Sequence, residues 1–180
     1  LPSIFRDVFD LRVHKKVLSY LSLSPHSKRY MILSFSIVSI AESLIFGFVS
    51  IILFSALIPY PFGLIKTVGF ILYFCIYVFL LSNVFITISI LSDKLSTILI
   101  SVFVFILFLL FGSGLIISLS YYPSSLENTL SALPLVMVIK AMQSYLFSGF
   151  INWVFTVIPL LTSLLLLSIN SILIRNKLRQ

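Results

Sequence analysis

The sequence predicts an all-α fold, a polytopic membrane helix bundle with about four transmembrane helices, and three observations carry that expectation. No Lys, Arg, Asp or Glu occurs between Lys66 and Asp93, between Lys94 and Glu127, or between Lys140 and Arg175, and Glu42 is the only one between Arg29 and Lys66. Each gap exceeds the roughly 20 apolar residues that a helix needs to cross a ~30 Å hydrocarbon core. The 180-residue chain is also 60% hydrophobic and only 9% charged, too little charge to wet the outer faces of so many helices. Finally, the net charge of +7 sits beside the apolar runs. Arg6, Arg12, Lys15, Lys16, Lys28 and Arg29 precede the first, and Arg175, Lys177 and Arg179 follow the last. Such clusters obey the positive-inside rule for cytoplasmic flanks, so the basic balance points to a lipid membrane and to no nucleic acid.

Residues 1–29 form a cytoplasmic opening with helical periodicity. Phe5, Phe9, Val13 and Val17 recur every four residues, while Arg6, Asp7, Asp10 and His14 take other directions, which suits a helix lying in the membrane interface or on a partner. Pro25 ends it. The transmembrane domain then occupies residues 30–180. Its first span runs over 30–58 and stops at the turn Pro59-Tyr60-Pro61-Phe62-Gly63. The second runs over 67–91, and the polar link Ser92-Asp93-Lys94 leads into the third, over 95–119. Tyr121 and Tyr122 favour the headgroup level, and Pro123 cannot continue a helix. The stretch 123–150 is too apolar to float and too interrupted, by Pro134, Lys140 and Gln143, to cross, so it reads as a re-entrant helical hairpin on the outer face. The last span covers 152–174, with Trp153 as an interfacial anchor.

Four crossings place both termini on one side. Ten of the twelve Lys and Arg then fall there, leaving Lys66 and Lys140 opposite. The expectation is a multi-pass protein of the cell (plasma) membrane with both termini cytoplasmic.

Few residues offer chemistry. Glu42 sits about 18 Å into the first span, near the bilayer middle, where a carboxylate faces the bundle interior or a wet path. A protonated Glu42 donating one hydrogen bond to a neighbouring helix is the plainer role, because the spans hold no second acid and no intramembrane base to complete a relay. Asn83 is its conceivable intramembrane partner, although placed nearer the cytoplasmic surface. Ser39, Ser43 and Gly47 recur at four-residue spacing, a small-residue stripe that lets helix backbones approach. Gly112-Ser113-Gly114 does the same near the outer end of the third span, or loosens it. Cys75 has no intrachain disulfide partner, and His14 and His26 lack metal-ligand spacing. No phosphate loop, paired acids or Ser/His/Asp set occurs, so the reading is of no catalytic residue, no metal, no cofactor and no enzyme.

One segment resembles a known family. Val17-Leu18-Ser19-Tyr20-Leu21-Ser22-Leu23-Ser24-Pro25-His26-Ser27-Lys28-Arg29, running into Tyr30-Met31-Ile32-Leu33, is similar to the cytoplasmic loop of type-2 ABC transporter permeases. There, a short Leu-rich helix ends in Ser/Thr-Pro and a basic pair before a long span. The short link between spans two and three, and Leu133-Pro134-Leu135 in an outer hairpin before a last span with a basic tail, follow the same plan. The Gly-Thr that usually precedes the Leu-rich helix is replaced by His14-Lys15-Lys16, and the Gly-Lys at the start of the following span is absent. The resemblance implies that Leu18, Leu21, Leu23, Pro25, Lys28 and Arg29 couple to a cytoplasmic ATP-binding subunit, and that a second permease copy completes the path. Such permeases commonly have six spans and this chain begins with Leu1, so it is expected to be the carboxy-terminal part of an exporter permease lacking the first two spans, with a naturally split or shortened permease as the alternative. The competing expectation is a non-transporting membrane anchor or scaffold subunit. An enzyme or proton-coupled carrier using Glu42 ranks behind both.

Overall fold

A computed structural model describes residues 28–57, 63–92 and 94–177. Leu18, Leu21, Leu23 and Pro25 lie outside the described residues, as do the final three residues of the basic tail. Among the described residues all regular structure is helical: α1 (Lys28–Leu57), α2 (Leu64–Leu91), α3 (Leu95–Gly112), a 3-10 turn (Leu119–Tyr121), α4 (Ser124–Ser131), α5 (Pro134–Ser148) and α6 (Trp153–Lys177). Four of these, α1, α2, α3 and α6, are long and apolar enough to cross a membrane.

The axial helix is α2. Buried residues make up 50% of its spanning stretch, against 22% for α1 and α3 and 28% for α6, and α1, α3, α5 and α6 all pack on it. Its 28 residues extend about 42 Å at 1.5 Å per residue. It starts one turn earlier than the sequence suggests, after an extended Gly63, so Lys66 belongs to its first turn.

Directions follow from named contacts. Tyr73 Oη lies 3.1 Å from Thr156 Oγ1, and Thr87 Oγ1 lies 2.7 Å from Asn170 Oδ1, each pair 83 residues apart. A constant offset over that length means that α2 and α6 run parallel and in register. By contrast α5 is antiparallel to α2, because Tyr145 bonds Ile65 near one end and Leu135 shares a core cluster with Leu80 and Leu81 further along. The same cluster holds Ile98, Val102 and Leu109 of α3, and Phe85 meets Phe105 edge-on at 6.0 Å. The α1 helix also runs opposite to α2, since Ile32 clusters with Ile86 and Ile90 while Gly47 faces Phe74.

The third span is shorter than its hydropathy suggests. Helix α3 stops at Gly112 rather than near residue 119, because Ser113 caps it and Gly114 takes a left-handed φ of 82°. That conformation is open to glycine and strained for other residues. At 18 residues, or about 27 Å, α3 is shorter than α2 alongside it. The chain fills the remaining height differently. After the 3-10 turn, α4 and α5 meet at an angle of 90° around Ala132 and Leu133, with Pro134 in the first turn of α5 where its missing N–H costs nothing. The segment predicted as a hairpin is thus an elbow of two helices, and Pro123 precedes α4 without terminating a span.

Candidate functional site

Two arrangements concentrate the polar and close-packed residues. The first is a seam where α1, α2 and α6 converge. On each helix one stripe faces this junction: Ile32, Ser36, Ser39 and Ser43 on α1; Phe79, Asn83, Ile86 and Ile90 on α2; Ser163, Leu167, Asn170 and Ile174 on α6. Their spacing of three and four residues is what one face of a helix presents. At the end where α2 terminates, Ile32, Ile86, Ile90, Leu167 and Ile174 close the seam with one apolar cluster. Further along it turns polar, with Ser36, Ser39, Asn83, Ser163 and Asn170 fully buried.

The cross-helix bonds of the seam are short. Asn170 Nδ2 donates to the Asn83 carbonyl at 2.9 Å, and the Thr87 hydroxyl lies 2.8 Å from that same carbonyl and 2.7 Å from Asn170 Oδ1. One hydroxyl proton is therefore shared between two acceptors. Asn83 Nδ2 is spent on Phe79 O of its own helix, at 2.8 Å. Ser163 bonds Leu160 O and Thr162 bonds Pro159 O, supplying local donors beside a buried proline that breaks the backbone ladder of α6.

The second arrangement ties the elbow to α2. Lys66 Nζ donates to Leu146 O at 3.0 Å, and Tyr145 Oη donates to Ile65 O at 3.0 Å. The Tyr145 ring lies directly over Gly69, where an added Cβ would come within 2.1 Å of Cε1. Glycine is needed here for closeness, not for conformation. Tyr145 also meets the ring of Tyr73 at 5.8 Å, and Tyr73 in turn contacts Thr156 of α6. Gly149, left-handed at φ 72°, then releases the chain from α5. From the middle of α5, Lys140 Nζ reaches back across the elbow to Ser131 Oγ at 2.6 Å. Below the bend, Leu80, Phe105, Leu109, Pro134, Leu135 and Leu166 line much of an apolar cavity of about 200 Å³.

The expected residues fall as follows. Ser39 and Ser43 are buried and Gly47 stands against Phe74, all facing inward from α1. Glu42 is half-buried on the edge of that stripe. Asn83 is fully buried, but its partners are Phe79, Thr87 and Asn170 and do not include Glu42, so the pairing considered from sequence is not made. Arg29 is exposed at the start of α1. Pro134 forms the elbow, while Pro123 is exposed before α4. Among the described residues no three His, Cys, Asp or Glu side chains gather as a metal site. Sequence reasoning missed Asn170, Thr87, Gly69 and Tyr145. For Asn170 a signal existed, an amide inside a charge-free run; Gly69 and Tyr145 carry none that differs from ordinary spanning residues.

Fold and site together define a class: an all-helical, multi-pass membrane protein with a bent helix pair inserted before its last spanning helix. No protein-family model matches the chain, and neither does any curated protein or solved structure.

Proposed function

We propose that the chain is a transmembrane permease subunit of an ABC-type exporter, acting with a cytoplasmic ATP-binding subunit and a second permease copy in the cell membrane. The observation that carries this reading is the order of parts along the chain. A Leu-rich Ser-Pro-basic segment leads into long α1, a tight polar link joins α2 to α3, and a Pro134 elbow precedes a last helix with a basic tail. In this reading the protein performs no chemistry of its own. ATP-driven closure in the partner is passed through the Leu18–Arg29 segment and converted into alternating access of a path between two copies.

The elbow is assigned to the outer face, with both termini cytoplasmic. Helices α2 and α6 are parallel, so they cross in the same direction. If α3 crosses back once, the stretch from Ser113 to Asn152 begins and ends on the same side, which supports the re-entrant reading of α4–α5. The ten-to-two Lys/Arg distribution supports naming that side external. A non-transporting anchor or scaffold subunit is the second reading, favoured by the apolar lining of the mid-depth cavity, which offers no wet path.

The test is a Leu21→Ala/Leu23→Ala variant in the full chain, with membrane insertion checked first. Coupling requires loss of ATPase co-purification or of ATP-driven transport while insertion is unchanged. Unaltered capture and transport would favour the scaffold.

A further inference from the structure

Three buried polar atoms at the α1–α2–α6 junction have no protein partner: Ser36 Oγ, Ser39 Oγ and Asn83 Oδ1. All three residues are 0% exposed. The antiparallel register of α1 and α2 brings them to one level. Stepping from Ile32 to Gly47 on α1 matches stepping back from Ile90 to Phe74 on α2, so Ser36 and Ser39 stand level with Ser82 to Ile86. On α2 the Asn83 side chain emerges from the stripe that also carries Phe79, Ile86 and Ile90, the stripe turned toward α1 and α6. Its amide nitrogen is already spent on Phe79 O, leaving the carbonyl oxygen as a bare acceptor.

An amide oxygen without a donor in an apolar setting costs free energy that a hydrogen bond would recover. Asn170 gives an amide N–H to the Asn83 backbone carbonyl and the Thr87 hydroxyl is shared between that carbonyl and Asn170 Oδ1, and neither residue bonds Asn83 Oδ1. One small group that donates to Asn83 Oδ1 and bonds the two serine hydroxyls would satisfy all three atoms. Three neutral oxygens are far fewer than the ring of carbonyls that replaces an ion's hydration shell, so an ion would be poorly compensated here. Buried water makes about three hydrogen bonds to such groups. It can donate to Asn83 Oδ1 and to one serine oxygen while accepting from the other serine hydroxyl.

We propose that the α1–α2–α6 junction is an internal hydration site, holding ordered water between Ser36, Ser39 and Asn83 at membrane depth. The apolar cluster of Ile32, Ile86, Ile90, Leu167 and Ile174 separates it from the end where α2 terminates. This site stands whether or not the chain is a transporter permease.

Radiolytic labelling in H₂¹⁸O tests it on the full chain in lipid nanodiscs, since the hydroxyl radicals that irradiation forms from bound water oxidise the side chains beside it. Phe79 should take up ¹⁸O several-fold faster than Phe103, which faces outward from α3. Ser36→Ala/Ser39→Ala, which removes only the two hydroxyls, should bring Phe79 down to the Phe103 rate with helicity unchanged. Equal labelling of Phe79 and Phe103 in the unmodified protein would overturn the proposal. A melting temperature raised by Na⁺ over K⁺ and choline, and losing that rise in Asn83→Leu, would also overturn it, in favour of a cation site.

Discussion

Replacing Gly69 with alanine puts a methyl group where the Tyr145 ring lies. The new Cβ would sit 2.1 Å from Cε1, 2.4 Å from Cζ and 2.6 Å from Oη, so the ring must move as a whole. Moving it breaks the Tyr145 bond to Ile65 O and separates Tyr145 from Tyr73. Overpacking costs about 1–3 kcal/mol and the lost hydrogen bond about 0.5–1.5 kcal/mol, so the expected destabilisation is about 1.5–4.5 kcal/mol. At 1.4 kcal/mol per decade, that lowers the folding equilibrium constant roughly 12- to 1,600-fold. The assay is reversible unfolding by SDS in mixed micelles, followed by the fluorescence of Trp153, the single tryptophan. In a Tyr145→Ala background the clash is gone, and Gly69→Ala should then cost little. A Gly69→Ala protein within about 0.5 kcal/mol of the parent, the range of an ordinary surface change, would refute the close-approach argument. So would a penalty that persists undiminished without the Tyr145 ring.

Asn170→Leu removes the bond to the Asn83 carbonyl and one acceptor of Thr87, and should cost roughly 0.6–2 kcal/mol in the same unfolding assay. Gly149→Ala forces a left-handed alanine at the end of α5 and should cost roughly 1–2 kcal/mol, with Gly149→Asn milder, as read from the same curves. Glu42→Gln keeps the hydrogen-bonding capacity and should leave assembly and transport near the parent level, whereas Glu42→Leu should lower stability modestly; lost transport in a well-folded Gln variant would make Glu42 a functional carboxylate. Single cysteines in a Cys75→Ala background should label with an impermeant thiol reagent near Ser125 and near Ser148 alike, and not near Arg179; labelling from opposite sides at the first two positions would make α4–α5 a crossing span.

The spanning helices were legible because exclusion of charge is a property of each segment alone. It needs no knowledge of neighbours, and all four candidate spans emerge from it. The early end of α3 was not, because Leu115, Ile116 and Ile117 continue the apolar run after helical geometry has ceased. Hydropathy reports what surrounds a residue, not its φ; the Gly112-Ser113-Gly114 triplet was the local sign of the break. Pro134 and the broken hydropathy of residues 123–150 flagged an irregular segment, but its right-angled shape depends on the space left beside α2 by a short α3. The seam was half visible. Ser39, Ser43 and Asn83 stood out within their own helices, yet Asn170 and Thr87 are joined to Asn83 by a pairing across the fold that no local periodicity encodes.

The parallel register of α2 and α6 has a consequence for how the protein is made. Thr87 and Asn170 are 83 residues apart, and ribosomes add about 5–20 residues per second, so α2 enters the bilayer about 4–17 s before its partner amide exists. Throughout that interval the Asn83–Thr87 face must be shielded by something already synthesised. Helix α1 precedes α2 in the chain and carries its serines at the matching level, so α1 and α2 form the natural early pair. Helix α6 then arrives as the late component that locks it, and a nascent chain arrested before Asn170 should be the form most dependent on membrane chaperones.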